Sequence, residues 1–148
     1  MSYQSALIAE RPVVSQLSSK DDPLRILVVD DNVPSAMTLA WAVESHGYTV
    51  EVCHNGRCAL EAVERFQPDV ILLDLGMPGL NGLQVARAVR ADKRFSGVKI
   101  IAQTGWGDSE TRRRTAEAGF DLHLVKPVDL DVLEDMLALL RRQSQAVR

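Results

Sequence analysis

Several polar residues stand where apolar runs stop. The stretch LRILVVDDN, residues 24–32, carries an apolar run that ends in two carboxylates, Asp30 and Asp31. DVILLD ends in Asp74, KIIAQT in Thr104, and DLHLVK in Lys126, which Pro127 follows. A strand bound for a protein interior does not ordinarily finish in paired like charges. If these run ends meet, they bring together three carboxylates, a hydroxyl and an ammonium. Clustered carboxylates repel, and without a cation some of their pKa values rise. A divalent metal removes that conflict. A donor set of oxygens alone selects a hard ion, and a few carboxylates that leave room for water suit Mg2+. Only the second run ends in softer ligands, Cys53 and His54, so zinc is not indicated. A metal, a lysine and a hydroxyl together make a good cradle for a phosphoryl group. An aspartate there can itself be the nucleophile and form an acyl phosphate.

Such convergence needs a scaffold. The runs LRILVV, YTVEVC, DVILLD, KIIAQT and DLHLVK are rich in β-branched and aliphatic residues and predict strands. Helices are predicted between and after them, over 34–45, 57–66, 82–91, 109–118 and 129–142. Gly47, Gly97 and Gly119 fall near helix ends or in the following turns, and Pro68 falls just past the second helix. Strands alternating with helices predict an α/β chain: a doubly wound parallel sheet covered on both faces. In such a sheet ligands bind outside the C-terminal strand ends, where all of these polar residues lie.

The chain has 148 residues, which suits one domain with a real core. Residues 1–23 are polar and irregular and are expected to be a flexible tail. The domain is expected over 24–143, with a short tail over 144–148, leaving no room for a second folded output domain. The net charge of −3 gives no general attraction to nucleic acid or anionic lipid. No apolar run is long enough to span a bilayer, and no signal peptide is seen. The two cysteines, Cys53 and Cys58, read as reduced, semi-buried small apolar residues, which implies a cytoplasmic setting.

ILVVDDN, DVILLDLGMPGLNG, IIAQTGWG and HLVKPVD, in that order, resemble the response regulator receiver domain of two-component signalling. The resemblance covers about residues 25–142, and its wording is similar to receivers fused to hybrid histidine kinases. It implies a flavodoxin-like five-stranded sheet of order 2-1-3-4-5 with five helices. It implies that Asp74 is the phosphoacceptor, that Asp31 binds Mg2+ directly with Asp30 assisting through water, and that the Gly76 carbonyl completes the protein ligands. Lys126 would pair with Asp74 and then with the phosphoryl group, Thr104 would move toward that group, and the Lys126–Pro127 bond would be cis. The donor would be a histidine kinase or a histidine phosphotransfer protein. Output would pass through protein contacts, with no nucleic acid and no membrane, and a weak dimer through the fourth and fifth helices is a further partner the resemblance allows. Such a chain is a switch that promotes its own phosphoryl transfer and dephosphorylation, not a turnover enzyme.

Several positions carry two readings. His123 stands where the family often has an aromatic switch residue; it is either that switch, coupled to Thr104, or a partly exposed strand histidine. Gly76 and Trp106 flank the site: Trp106 shields the phosphoryl group while Gly76 leaves its flank open, or Trp106 is a surface residue of the Gly105–Trp106–Gly107 loop. Arg112, Arg113 and Arg114 spread around a helix and read as a solvated face or a protein contact. On the last helix Leu130, Leu133, Leu137 and Leu140 form a core stripe. Val132, Met136 and Leu139 form a second one, covered by Met37, Ala40 and Trp41 of the first helix or open to a partner. His46 and His54 read as surface residues. The rival from another class is a Mg2+-dependent phosphatase with an aspartyl nucleophile, which wants a second aspartate where Gly76 stands. The other rival is a receiver-shaped scaffold that works without phosphorylation.

Overall fold

The computed structural model describes residues 23–105 and 107–147. All but the last residue of the tail expected over residues 1–23, and the shielding role of Trp106, lie outside the described residues. Within them the strands are β1 (Arg25–Val29), β2 (Thr49–Cys53), β3 (Val70–Asp74), β4 (Lys99–Thr104) and β5 (Leu122–Val125). The helices are α1 (Val33–Ser45), α2 (Gly56–Phe66), α3 (Gly82–Ala91), α4 (Ser109–Ala118) and α5 (Leu130–Val147). A 3-10 turn over Lys93–Phe95, which the apolar periodicity does not announce, links α3 to β4. The five strands form one parallel sheet of order β2-β1-β3-β4-β5.

Alternate side chains of each strand go to opposite faces. Leu27, Val29, Ile71 and Leu73 pack with α2 and α3, joined by Ala59, Val63, Val85 and Val89. Ile26, Val28, Val70 and Leu72 pack on the other face with Leu39 and Val43 of α1 and with Leu133, Leu137 and Leu140 of α5. All of β3 is buried, as a central strand covered on both faces must be. Helix starts are fixed by side-chain caps. Asn32, Asn55, Asn81 and Asp108 each accept a backbone N–H from the first turn of α1, α2, α3 and α4. Asn81 and Gln84 do so reciprocally.

Two expectations about the helices need correction. Leu130, placed in the core stripe of α5, is 42% exposed, because it is the first residue of that helix and lies beyond the sheet it packs on. The second stripe is not covered by α1. Val132 and Leu139 remain exposed, and Trp41 stands 65% exposed on α1. Leu133, Leu137 and Leu140 are buried in the core, Met136 of the second stripe is half-buried against that same core, and Val132 and Leu139 face outward. Helix α5 also runs on past Arg142 to Val147. No helix among the described residues is long and apolar enough to cross a membrane.

Candidate functional site: an acidic edge closed by a lysine

β1 delivers Asp30 and Asp31 just beyond its last residue. The backbone N–H of Asp30 donates to the Cys53 carbonyl at 3.1 Å, continuing the β1–β2 ladder. The Asp30 side chain is 1% exposed. Its Oδ1 accepts the Asn32 N–H at 2.9 Å, and its Oδ2 lies 3.2 Å from Lys126 Nζ. Asp74 ends β3, and its Oδ1 accepts the Gly76 N–H at 3.3 Å and sits 3.2 Å from the same Lys126 Nζ. Lys126 follows β5, and its N–H donates to the Thr104 carbonyl at 2.7 Å. The peptide bond from Lys126 to Pro127 is cis. Asp31 is exposed, yet carboxylate oxygens of Asp30, Asp31 and Asp74 all lie within 4.8 Å of one another.

The helices hold these strand ends in place. A side chain at Gly82, the first residue of α3, would put its Cβ 2.4 Å from the Asp74 carbonyl oxygen. Only glycine lets α3 start that close to the end of β3. At Gly76, in contrast, a Cβ would meet nothing within 4 Å, so this flank of Asp74 is open. Thr104 is buried and lines a cleft of about 280 Å³ together with Asp74, Gly76, Gly105, Arg114 and Lys126.

The electrostatics are lopsided. Burial alone would lower the Lys126 pKa, but the Asp74 and Asp30 carboxylates outweigh it and hold the ammonium above its ordinary value. Among the described residues, one ammonium nevertheless faces three carboxylates. The donors are all oxygen, two of the carboxylates are buried, and the third opens to solvent, so the set fits a hard divalent cation that keeps some of its water.

Of the residues anticipated from strand ends, Asp30, Asp31, Asp74 and Lys126 meet directly, and Thr104, Gly105 and Gly76 line the adjoining cleft. His123 lies on β5, half-buried, beside a separate depression lined by Phe120 and Met136. Two contributors were missed. His54, read as a surface residue, is half-buried, and its Nδ1 donates to the Asp30 carbonyl at 3.0 Å. The parallel register pairs Val29 with Cys53, so His54 falls beside Asp30, and that register was the available signal. Arg114 was read as one of three consecutive arginines. Thr111, Arg114 and Thr115 share one helical face, at i, i+3 and i+4, and that face lines the cleft. The other two differ: Arg113 is paired with Glu110 and Glu117, and Arg112 donates to the Gly107 carbonyl.

Known proteins share this sequence pattern and this fold. A sequence model of the response regulator receiver domain matches residues 26–138. The DNA-binding response regulator MtrA of Mycolicibacterium paratuberculosis is 41% identical over 103 residues, 70% of this chain and 44% of that protein. The response regulator MprA of Mycolicibacterium vanbaalenii is 38% identical over 123 residues, 82% of this chain and 52% of that protein. The chain therefore spans about half the length of these curated relatives. Among solved structures, the chemotaxis protein CheY4 of Vibrio cholerae superposes with a TM-score of 0.76 at 27% identity, over 80% of this chain and 98% of that one. The signal receiver domain of a signal transduction histidine kinase from Syntrophus aciditrophicus gives 0.75 at 28% identity, over 81% and 91%. With the family match covering most of the sheet and every strand end described above, this chain belongs to the response regulator receiver domains of two-component signalling.

Proposed function

We propose that the chain takes a phosphoryl group from a phosphohistidine of a histidine kinase or phosphotransfer protein onto Asp74, and signals through protein contacts. The observation that carries this reading is the bridge made by Lys126, 3.2 Å from both Asp30 and Asp74, beside a third carboxylate. A carboxylate oxygen of Asp74 attacks phosphorus, an O–P bond forms, and the N–P bond to the donor imidazole breaks. Asp31 and Asp74, with Asp30 acting through water and the Gly76 carbonyl, would hold Mg2+, which when bound supplies neutralisation of the phosphoryl oxygens. Lys126 Nζ then follows the charge from the Asp74 carboxylate to a phosphoryl oxygen. Thr104, at the cleft wall, donates its hydroxyl to another. Its movement toward the phosphoryl group repacks the β4–β5 edge, where His123 serves as the coupled switch residue. The open flank at Gly76 leaves a path for water, so the acyl phosphate is hydrolysed in place and the switch resets itself.

Phosphorylation would act by shifting an equilibrium between two surface conformations. The exposed apolar residues Val125, Val132 and Leu139 supply a surface on β5 and α5 for a protein partner or a weak dimer involving α4 and α5. The MtrA relatives are named as DNA-binding proteins, and this chain matches 44% of that length. Here Arg113 is neutralised by its own helix, which supports protein contact over nucleic acid. Both cysteines are free, in keeping with a cytoplasmic setting. The test is intact mass after incubation with a small phosphodonor, with and without Mg2+. A single Mg2+-dependent phosphoryl adduct is expected, absent in Asp74→Asn. An adduct that persists in that folded variant would remove Asp74 from its role.

A further inference from the structure

Cys53 closes β2 and Cys58 lies in the first turn of α2, on either side of a tight turn. Both are free thiols, and their sulfurs are 2.7 Å apart. The turn is held from both sides. Asn55 accepts the Cys58 N–H at 2.8 Å, and Gly56 packs so closely on Leu80 that a Cβ there would lie 2.4 Å from its carbonyl oxygen. A disulfide bond is about 2.0 Å long, so bonding the two sulfurs requires them to approach by less than an ångström. Two small apolar residues packing side by side would not need that approach.

We infer that Cys53 and Cys58 form a dithiol site that a small-molecule disulfide oxidises, reversibly, to an intramolecular disulfide. Access fixes the order of events. Cys58 is half-buried, whereas Cys53 is 1% exposed. The Cys58 thiolate attacks one sulfur of the reagent RSSR, and RS⁻ leaves. The Cys53 sulfur then attacks the Cys58 sulfur of the mixed disulfide, and the second RS⁻ leaves. The two thiol protons of the protein end on two RSH molecules; the protein loses two electrons and the reagent gains them. Burial is the main reason the Cys53 thiol is pushed up from its ordinary range, and the Cys58 thiol beside it adds to the shift. The bond would form directly behind the acidic edge, since the Cys53 carbonyl accepts the Asp30 N–H and His54 holds the Asp30 carbonyl. The inference does not depend on phosphorylation.

The experiment incubates the reduced full chain with oxidised glutathione, quenches it by alkylation, and reads intact mass. The wild type is expected to lose two hydrogens, to take no alkyl group, and to recover both thiols with a reductant. Cys53→Ala should stop at one glutathione on Cys58, because nothing resolves it. Cys58→Ser should take no glutathione while folded. The wild-type result stands alone if Cys53→Ala fails to fold. A wild type that retains glutathione on Cys58, that forms only linked dimers, or that keeps both thiols alkylatable overturns the inference.

Discussion

Replacing Asp31 by asparagine should stabilise the metal-free protein while removing its response to Mg2+. Asp31 is the exposed member of a trio whose carboxylate oxygens lie within 4.8 Å of one another, and the one ammonium at hand contacts the other two. Two unit charges at 4.8 Å repel by roughly 0.9 kcal/mol in water and roughly 3.5 kcal/mol at an effective dielectric constant of 20. Exposure places Asp31 near the lower figure. It faces two carboxylates, and its more distant attraction to Lys126 offsets part of the sum, so the net gain is about 1 kcal/mol. For a chain of this size that raises Tm by about 2–4 °C. The assay is thermal and urea unfolding at low ionic strength, in chelator and then across a Mg2+ series. In Mg2+ at roughly 100 times its Kd, the wild type should gain about 2.7 kcal/mol and the variant far less, so their order of stability reverses. A variant less stable than wild type in chelator would refute the reasoning, because the acidic edge would then not be under repulsion.

The same charges govern the pH dependence. Because Asp74 and Asp30 hold the Lys126 pKa above its ordinary value, its contribution is complete below the ordinary lysine range and is lost as pH rises through the folded-state pKa. Urea unfolding between pH 9 and 12, roughly, should show wild type keeping its advantage over Lys126→Met up to about pH 10 and losing it above that. At neutral pH that variant should be less stable by about 2 kcal/mol, since it leaves the buried Asp30 carboxylate without its cation. Gly82→Ala should destabilise by about 2 kcal/mol or more and also slow any phosphorylation of Asp74, because its Cβ would strike the Asp74 carbonyl; Gly76→Ala, with open space at its Cβ, should change unfolding by less than about 0.5 kcal/mol. Val132→Asp with Leu139→Asp should leave stability within about 1 kcal/mol but weaken partner or self-association of the phosphorylated chain, read by sedimentation.

The sheet was legible because each strand is a short apolar run that stops at a polar residue, and because β3 reads as buried on both sides. The site followed from the same feature: parallel strands must end at one edge, so Asp30, Asp74 and Lys126 had to come together wherever the helices lay. What could not be read depends on neighbours that sequence spacing does not name. The second stripe on α5 has the period of a buried face, yet only Met136 of it packs against the core while Val132 and Leu139 are exposed. Trp41 has helix-packing spacing on α1 but stands exposed, with no covering helix among the described residues. His54 gains its role from the β1–β2 register, and Arg114 from which face of α4 turns toward β4.

The two faces of the sheet differ in what they hold at the functional edge. On the α1 and α5 face, Gln103 is buried near Asp30 in a cavity of about 600 Å³ that Pro34, Leu39 and Val128 also line. On the other face the cleft beside Asp74 is smaller and walled by the Thr111, Arg114 and Thr115 face of α4. A charge added to Asp74 would therefore be felt first by Lys126, through an existing contact, and next by Thr104 and Arg114 across the cleft. Both of those groups belong to the β4–α4 side of the molecule. Asp30, on the opposite side, is already fixed by Asn32, Cys53, His54 and Lys126. Asp30 is thus held from several directions at once, whereas Asp74 meets the β4–α4 side across an open cleft. A phosphoryl signal should for that reason travel toward α4, β5 and α5, whose surface carries the uncovered apolar residues Val125, Val132 and Leu139.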